Sequence, residues 1–151
     1  MRRLGVVTGT VVLALAGVAM AASYKPGTYS AGDPSTKAAG ITLTIHKGSF
    51  SVQAMSFHEH CVADSGSIND YFEFKSGSGA QIKGKINAHG KFSGKWAFPG
   101  GNDKVSGTVK GSTATVKGSE KSEYKPSAGT PLYTCTGSGT FRAKLLQTTG
   151  G

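Results

Sequence analysis

From Ile41 onward the chain alternates apolar and polar residues with a period of two, and no helical stripe competes with that pattern. Ile41, Leu43 and Ile45 share one phase, with Thr42, Thr44 and His46 on the other. The turn His46-Lys47-Gly48-Ser49 opens a second strand through Phe50, Val52 and Ala54. Its apolar phase then slips to Met55, Phe57 and Cys61, as one extra residue near Ala54 in a β-bulge would produce. Further strands are predicted over Ile68–Phe74, Ile82–Ile86, Phe92–Phe98, Val105–Val109, a strand carrying Ala114 and Val116, and Tyr133–Leu145. Pro99-Gly100-Gly101-Asn102 reads as a turn and Gly111-Ser112 as a two-residue hairpin. Ser119 to Thr130 reads as the longest loop.

Glycines interrupt these strands on their apolar phase. Gly84 lies between Ile82 and Ile86, Gly94 between Phe92 and Trp96, and Gly107 between Val105 and Val109. Gly137 and Gly139 precede Phe141 in the same way. A missing side chain at such a position lets a strand coil and leaves room for a ring from its neighbour. The fold class expected is therefore all-β: an antiparallel meander of about nine strands forming a small β-barrel or a strongly bent sandwich. Whether the interior is a lined cavity or is filled by Phe92, Trp96, Phe98, Tyr133 and Phe141 is left open by the pattern.

The first 22 residues have another character. Met1-Arg2-Arg3 is basic, Leu4 to Met20 is mostly apolar and small, and Ala19 and Ala21 frame a cleavage site. These are the three parts of a secretory signal peptide, so residues 1–22 are read as a leader and 23–151 as one secreted β domain. No apolar run long enough to span a membrane follows. In an oxidising, extracellular setting the cysteines Cys61 and Cys135 are most simply a disulfide.

Charge adds a direction. The chain carries 17 basic residues against 8 acidic ones, and losing Arg2 and Arg3 lowers its net charge of +9 by two. Lys83, Lys85, Lys91, Lys95, Lys110 and Lys117 fall on the polar phase of their strands. Were those strands neighbours, they would form a basic face able to attract an anionic polymer or an envelope surface. Lysines on a sheet also serve simply to keep it soluble and to discourage edge pairing. Specific nucleic-acid recognition is not expected, because no aromatic is interleaved with these lysines for bases to stack on.

Candidate chemistry is sparse. His58 and His60, in His58-Glu59-His60-Cys61, would project from one side of a strand at a spacing that suits a shared metal ion. The pair equally suits a solvent-facing strand end. There is no G-x-S-x-G elbow. The acids, assigned mostly to turns (Asp33, Asp64, Asp70, Asp103, Glu120, Glu123), single out no catalytic pair. No cofactor is called for.

The set "PGTYSA", "ITLTI", a first cysteine after "FSVQAMSF", "GKFSGKW", "VSGTVKGSTATVKG" and "YTCTGSGTFRAK" resembles a group of small secreted actinobacterial-type all-β proteins with two cysteines and glycine-rich strands. The resemblance implies an all-β fold and a Cys61–Cys135 bridge, and no activity; "HEHC" departs from the group's pattern. The function expected is a secreted, non-catalytic binding module engaging anionic polymers through its lysine face. The alternatives are a carrier holding a small ligand in the barrel interior, or an enzyme or inhibitor whose site is not legible.

Overall fold

A computed structural model of the chain describes residues 24–34, 38–77, 79–125, 128–129 and 132–148. The predicted leader, residues 1–22, lies outside them. Among the described residues nine antiparallel strands form one sheet: β1 (Gly27–Ala31), β2 (Gly40–His46), β3 (Ser49–Ala63), β4 (Gly66–Lys75), β5 (Lys83–Lys85), β6 (Lys91–Phe98), β7 (Gly101–Lys110), β8 (Thr113–Tyr124) and β9 (Tyr133–Gln147). No helix occurs among the described residues, so none is long and apolar enough to cross a membrane.

Strand order is β4-β3-β2-β1-β9-β8-β7-β6, with β5 on β3. Two meanders, β1 to β4 and β6 to β9, are thus joined where β1 pairs with β9. The far half of β3 also pairs directly with β9, Glu59–Val62 against Thr134–Gly137. That seam closes a ring of hydrogen bonds running β3-β2-β1-β9-β3. A bridge between Ile86 and Phe92 ties the β5 segment to β6.

The expected bulge is present. Thr42 pairs with Ala54 and Leu43 with Val52, so Gln53 is the extra residue, and the apolar phase changes there. The turns at residues 47–48 and 111–112 are where the pattern puts them, since His46 pairs with Ser49 and Lys110 with Thr113. Gly111 has φ 55°, the left-handed region that a tight hairpin requires and side chains disfavour.

Three boundaries differ from the sequence reading. β8 runs on to Tyr124, so the predicted loop Ser119–Thr130 is strand for its first half. Alternation continues there (Ser119, Lys121 and Glu123 against Gly118, Glu120 and Ser122), but the second phase is polar and carries no apolar signal. β7 likewise starts at Gly101, inside the predicted turn, and β5 is shorter than Ile82–Ile86. β1 was legible only as part of the resemblance, because its five residues bury a single large side chain, Tyr29.

One core lies inside the curl: Tyr29, Ile41, Leu43, Ile45, Phe50, Val52, Met55, Phe57, Phe92, Val105, Val109, Val116 and Phe141 are all buried. The glycines make room for these side chains. A Cβ on Gly107 would meet the Phe92 ring at 2.6 Å, and one on Gly139 would meet the Phe141 ring at 2.6 Å. The space the glycines leave is taken up by rings. Among the aromatics expected to fill the interior, Phe92 and Phe141 are buried, while Trp96, Phe98 and Tyr133 are half-buried. Trp96 and Phe98 pack on each other at 4.7 Å between centroids, and Trp96 meets Phe74 at 6.0 Å.

Candidate functional site

The polar phase of β6 to β9 faces outward and is almost wholly Lys, Arg, Ser and Thr. Cross-strand register sets its rows. Lys95 lies directly opposite Lys104, Lys91 opposite Thr108, and Lys110 opposite Thr113. On the next pair, Thr113 faces Lys144, Thr115 faces Arg142 and Lys117 faces Thr140. The face therefore carries Lys91, Lys95, Lys104, Lys110, Lys117, Lys121, Arg142 and Lys144, all exposed. Glu123 is the acid on that phase. Among the described residues none of these cations has an ion pair; the salt bridge found is Lys75–Glu73 on β4.

Two depressions mark this face. Lys95, Lys104 and Lys117 border one of about 510 Å³ together with Ser93, Ser106 and Ser119. Lys91, Lys110 and Arg142 border another of about 520 Å³ with Thr108, Thr113 and Thr115. Each combines three cations with three hydroxyls. Of the six lysines predicted, Lys91, Lys95, Lys110 and Lys117 come together here. Lys85 shares a neighbouring depression with Lys91 and Ser93, whereas Lys83 lines a separate hollow with Ser51, Val52 and Gln53. Lys104, Lys121, Arg142 and Lys144 complete the face and were not singled out from sequence. Lys104 could have been, since it alternates with Val105.

On the core side of the same strands the chemistry is opposite in sign. Asp103 and Glu120, assigned to turns by the sequence reading, sit on β7 and β8 directly opposite each other. Glu120 is opposite Gly137 of β9, Gly137 is opposite Glu59 of β3, and Glu59 is opposite Asp70 of β4. Trp96 of β6, opposite Asp103, ends the row. Phase gives the reason. Asp103 shares the phase of Val105 and Val109, Glu120 that of Ala114 and Val116, and Glu59 that of Phe57 and Cys61. Gly137 lacks the side chain that would separate Glu59 from Glu120.

The row is deeply covered at Asp103 and Glu120, half-buried at Glu59 and exposed at Asp70. Asp103 is 1% exposed and Glu120 5%, and neither oxygen of Asp103, nor one of Glu120, has a hydrogen-bond partner. The Ser122 hydroxyl donates to the other Glu120 oxygen. Burial raises the Asp103 carboxyl to about 7, helped by the charge of Glu59. Burial likewise raises Glu59 to about 7, with the Glu120 carboxyl against it and Asp70 beyond. Glu120 is also raised, by burial first and by Asp103, against the lowering effect of its Ser122 hydrogen bond. Both Asp103 oxygens and one of Glu120 are sealed from water, whereas Glu59 is only half-buried.

His58 and His60 do project from one side of β3, both exposed, as predicted. His58 packs on Tyr71 at 4.2 Å between centroids, and His60 Nδ1 lies 2.8 Å from Asn69 Oδ1. Among the described residues no third ligand joins them. Among the described residues, the group of three ligand-type side chains that converges to within 4.8 Å is Glu59, Cys61 and Cys135. Its sulfurs are joined in the expected disulfide, which lies across the β3–β9 seam. Compared with known proteins, the chain matches no family model, no curated protein and no solved structure.

Proposed function

We propose that the protein is a non-catalytic binding module that takes anionic polymers on the outer face of β6 to β9. The observation that carries this reading is the direct opposition of Lys95 and Lys104 within a face of unpaired cations. Like charges facing each other across a strand pair cost stability, and solubility alone does not call for that placement. Two depressions, each with three cations and three hydroxyls, suit the oxygens of phosphate or sulfate groups along a chain. The absence of aromatics from this phase of β6 to β9 favours backbone charge over base recognition. A disulfide fits the oxidising exterior where such polymers occur.

Long-chain polyphosphate and dextran sulfate are the probes, with neutral dextran as control. Binding is expected to weaken steeply between about 50 and 500 mM NaCl, because charges this exposed are screened within about 10 Å at 0.1 M salt. The double substitution Lys95→Thr with Lys104→Thr should lower affinity by about tenfold or more at low salt. The same change should raise unfolding free energy by a few tenths of a kcal/mol, by relieving the opposed pair. Salt-independent binding, or retention on neutral dextran equal to that on the polyanions, would sink the proposal.

A further inference from the structure

Burying several carboxyls together, with no cation beside them, is costly unless protons neutralise them. On the core side Asp103, Glu120 and Glu59 meet from three elements, β7, β8 and β3. Register sets every neighbour. Trp96 stands beyond Asp103 on β6, Gly137 stands between the glutamates on β9, and Asp70 lies beyond Glu59 on β4. The next row toward the strand ends holds Phe98, Gly101, Ser122, Cys135, Cys61 and Ile68. The row on the other side holds Gly94, Val105, Gly118, Gly139 and, on β3 and β4, Phe57 and Phe72. Among the described residues Asp70 is thus the one other charged group facing these three, and its sign is the same. The lysines of β6 to β9 are on the opposite face.

A metal ion does not suit the row, because its three carboxyls do not converge within one coordination sphere. A proton does. Only Gly137, which has no side chain, lies between Glu59 and Glu120, and the charge of Glu120 raises the Glu59 carboxyl, so a proton on either relieves their repulsion. The row also sits where it has mechanical leverage. Glu59 and Gly137 are the first pair of the four-residue seam that joins β3 to β9.

We propose that this carboxyl row is a proton-operated latch on the β3–β9 seam: protonated it holds the seam closed, and ionised it loosens the pairing of Glu59–Val62 with Thr134–Gly137. The sign follows from the raised carboxyls. In the folded chain Asp103 and Glu59 hold their protons up to about 7, against ordinary values of 3.8 and 4.5. The closed seam therefore binds more protons than the open one between about pH 4 and 7. Its stabilisation is complete below about pH 4 and is lost as pH rises through 7.

Hydrogen exchange on the disulfide-intact protein, corrected for the intrinsic pH dependence of exchange, tests this. Seam amides at 59–62 and 134–137 should lose about tenfold or more of their protection between pH 5 and pH 8. Amides of Ile41–Ile45 in β2 should change much less. The triple variant Glu59→Gln, Asp103→Asn and Glu120→Gln should abolish the difference, keeping the seam protected at both pH values. Should that variant fail to fold, NMR titration of the side-chain carboxyls in the unaltered protein decides. Titration of all three near pH 4 overturns the latch. So does seam protection that stays flat, or that falls only in step with β2.

Discussion

Removing the Cys61–Cys135 disulfide is expected to lower the unfolding free energy by about 4 kcal/mol. The two cysteines are 74 residues apart, and on the chain-entropy argument a cross-link of that span restricts the unfolded ensemble by this amount. The native state gives little back. Both cysteines are buried and already opposed in the β3–β9 pairing, so the bond forms between positions that the backbone register brings together. Urea denaturation of Cys61→Ala with Cys135→Ala, compared with the oxidised protein, measures the difference. The dependence on urea should also steepen, because an unfolded chain without the cross-link exposes more surface. A loss below about 1 kcal/mol would mean that the seam's hydrogen bonds and the Phe57–Phe72 packing, 4.7 Å between centroids, hold this end without help.

Alternation carried most of the fold. It placed the strands around Ile41–Ile45, Phe92–Phe98 and Tyr133–Leu145, and the phase slip at Ala54 marked the bulge at Gln53 to within one residue. It failed where one phase is not apolar. The end of β8 carries Glu120 and Ser122 where a strand normally presents Val or Ile, so hydrophobicity alone reads it as loop. That same substitution of polar for apolar is the acid row. The signal was present in the numbering, since Asp103, Glu120 and Glu59 each continue the phase of their buried neighbours. What the chain alone could not supply was register. Whether Glu120 meets Asp103 and Glu59 depends on which strands pair, and on the non-sequential β3–β9 contact above all. The basic face shows the converse. Four of its lysines were legible from phase, and their assembly with Arg142 and Lys144 needed the β8–β9 pairing.

Gly94→Ala, the smallest change available at that position, is expected to destabilise the protein by about 1–3 kcal/mol. In an unstrained strand the same change would stabilise by about 0.4–1 kcal/mol, through the lower entropy of the unfolded chain. Geometry reverses the sign. A Cβ at Gly94 would lie 2.8 Å from Cζ of Phe50, 3.0 Å from the Lys83 carbonyl oxygen and 3.3 Å from Ile82 Cγ2. From β5 the same ring would meet a Cβ on Gly84 at 2.9 Å, so Phe50 lies between two glycines of neighbouring strands. On its other side it packs against Phe92, 4.6 Å between centroids. Phe50 is 2% exposed, and Phe50→Ala alone should cost about 3–5 kcal/mol. The two changes should not add. With the ring gone, the cost of Gly94→Ala should fall by at least about 1 kcal/mol, leaving the Lys83 carbonyl and Ile82 Cγ2 to resist the new methyl. Chemical denaturation of the two single variants and the double variant gives that coupling directly. Equal costs in both backgrounds would mean that the glycine serves the close approach of β5 and β6 backbones. A large coupling would mean that β5 and β6 gave up their own side chains so that one ring from β3 could reach the middle of the core.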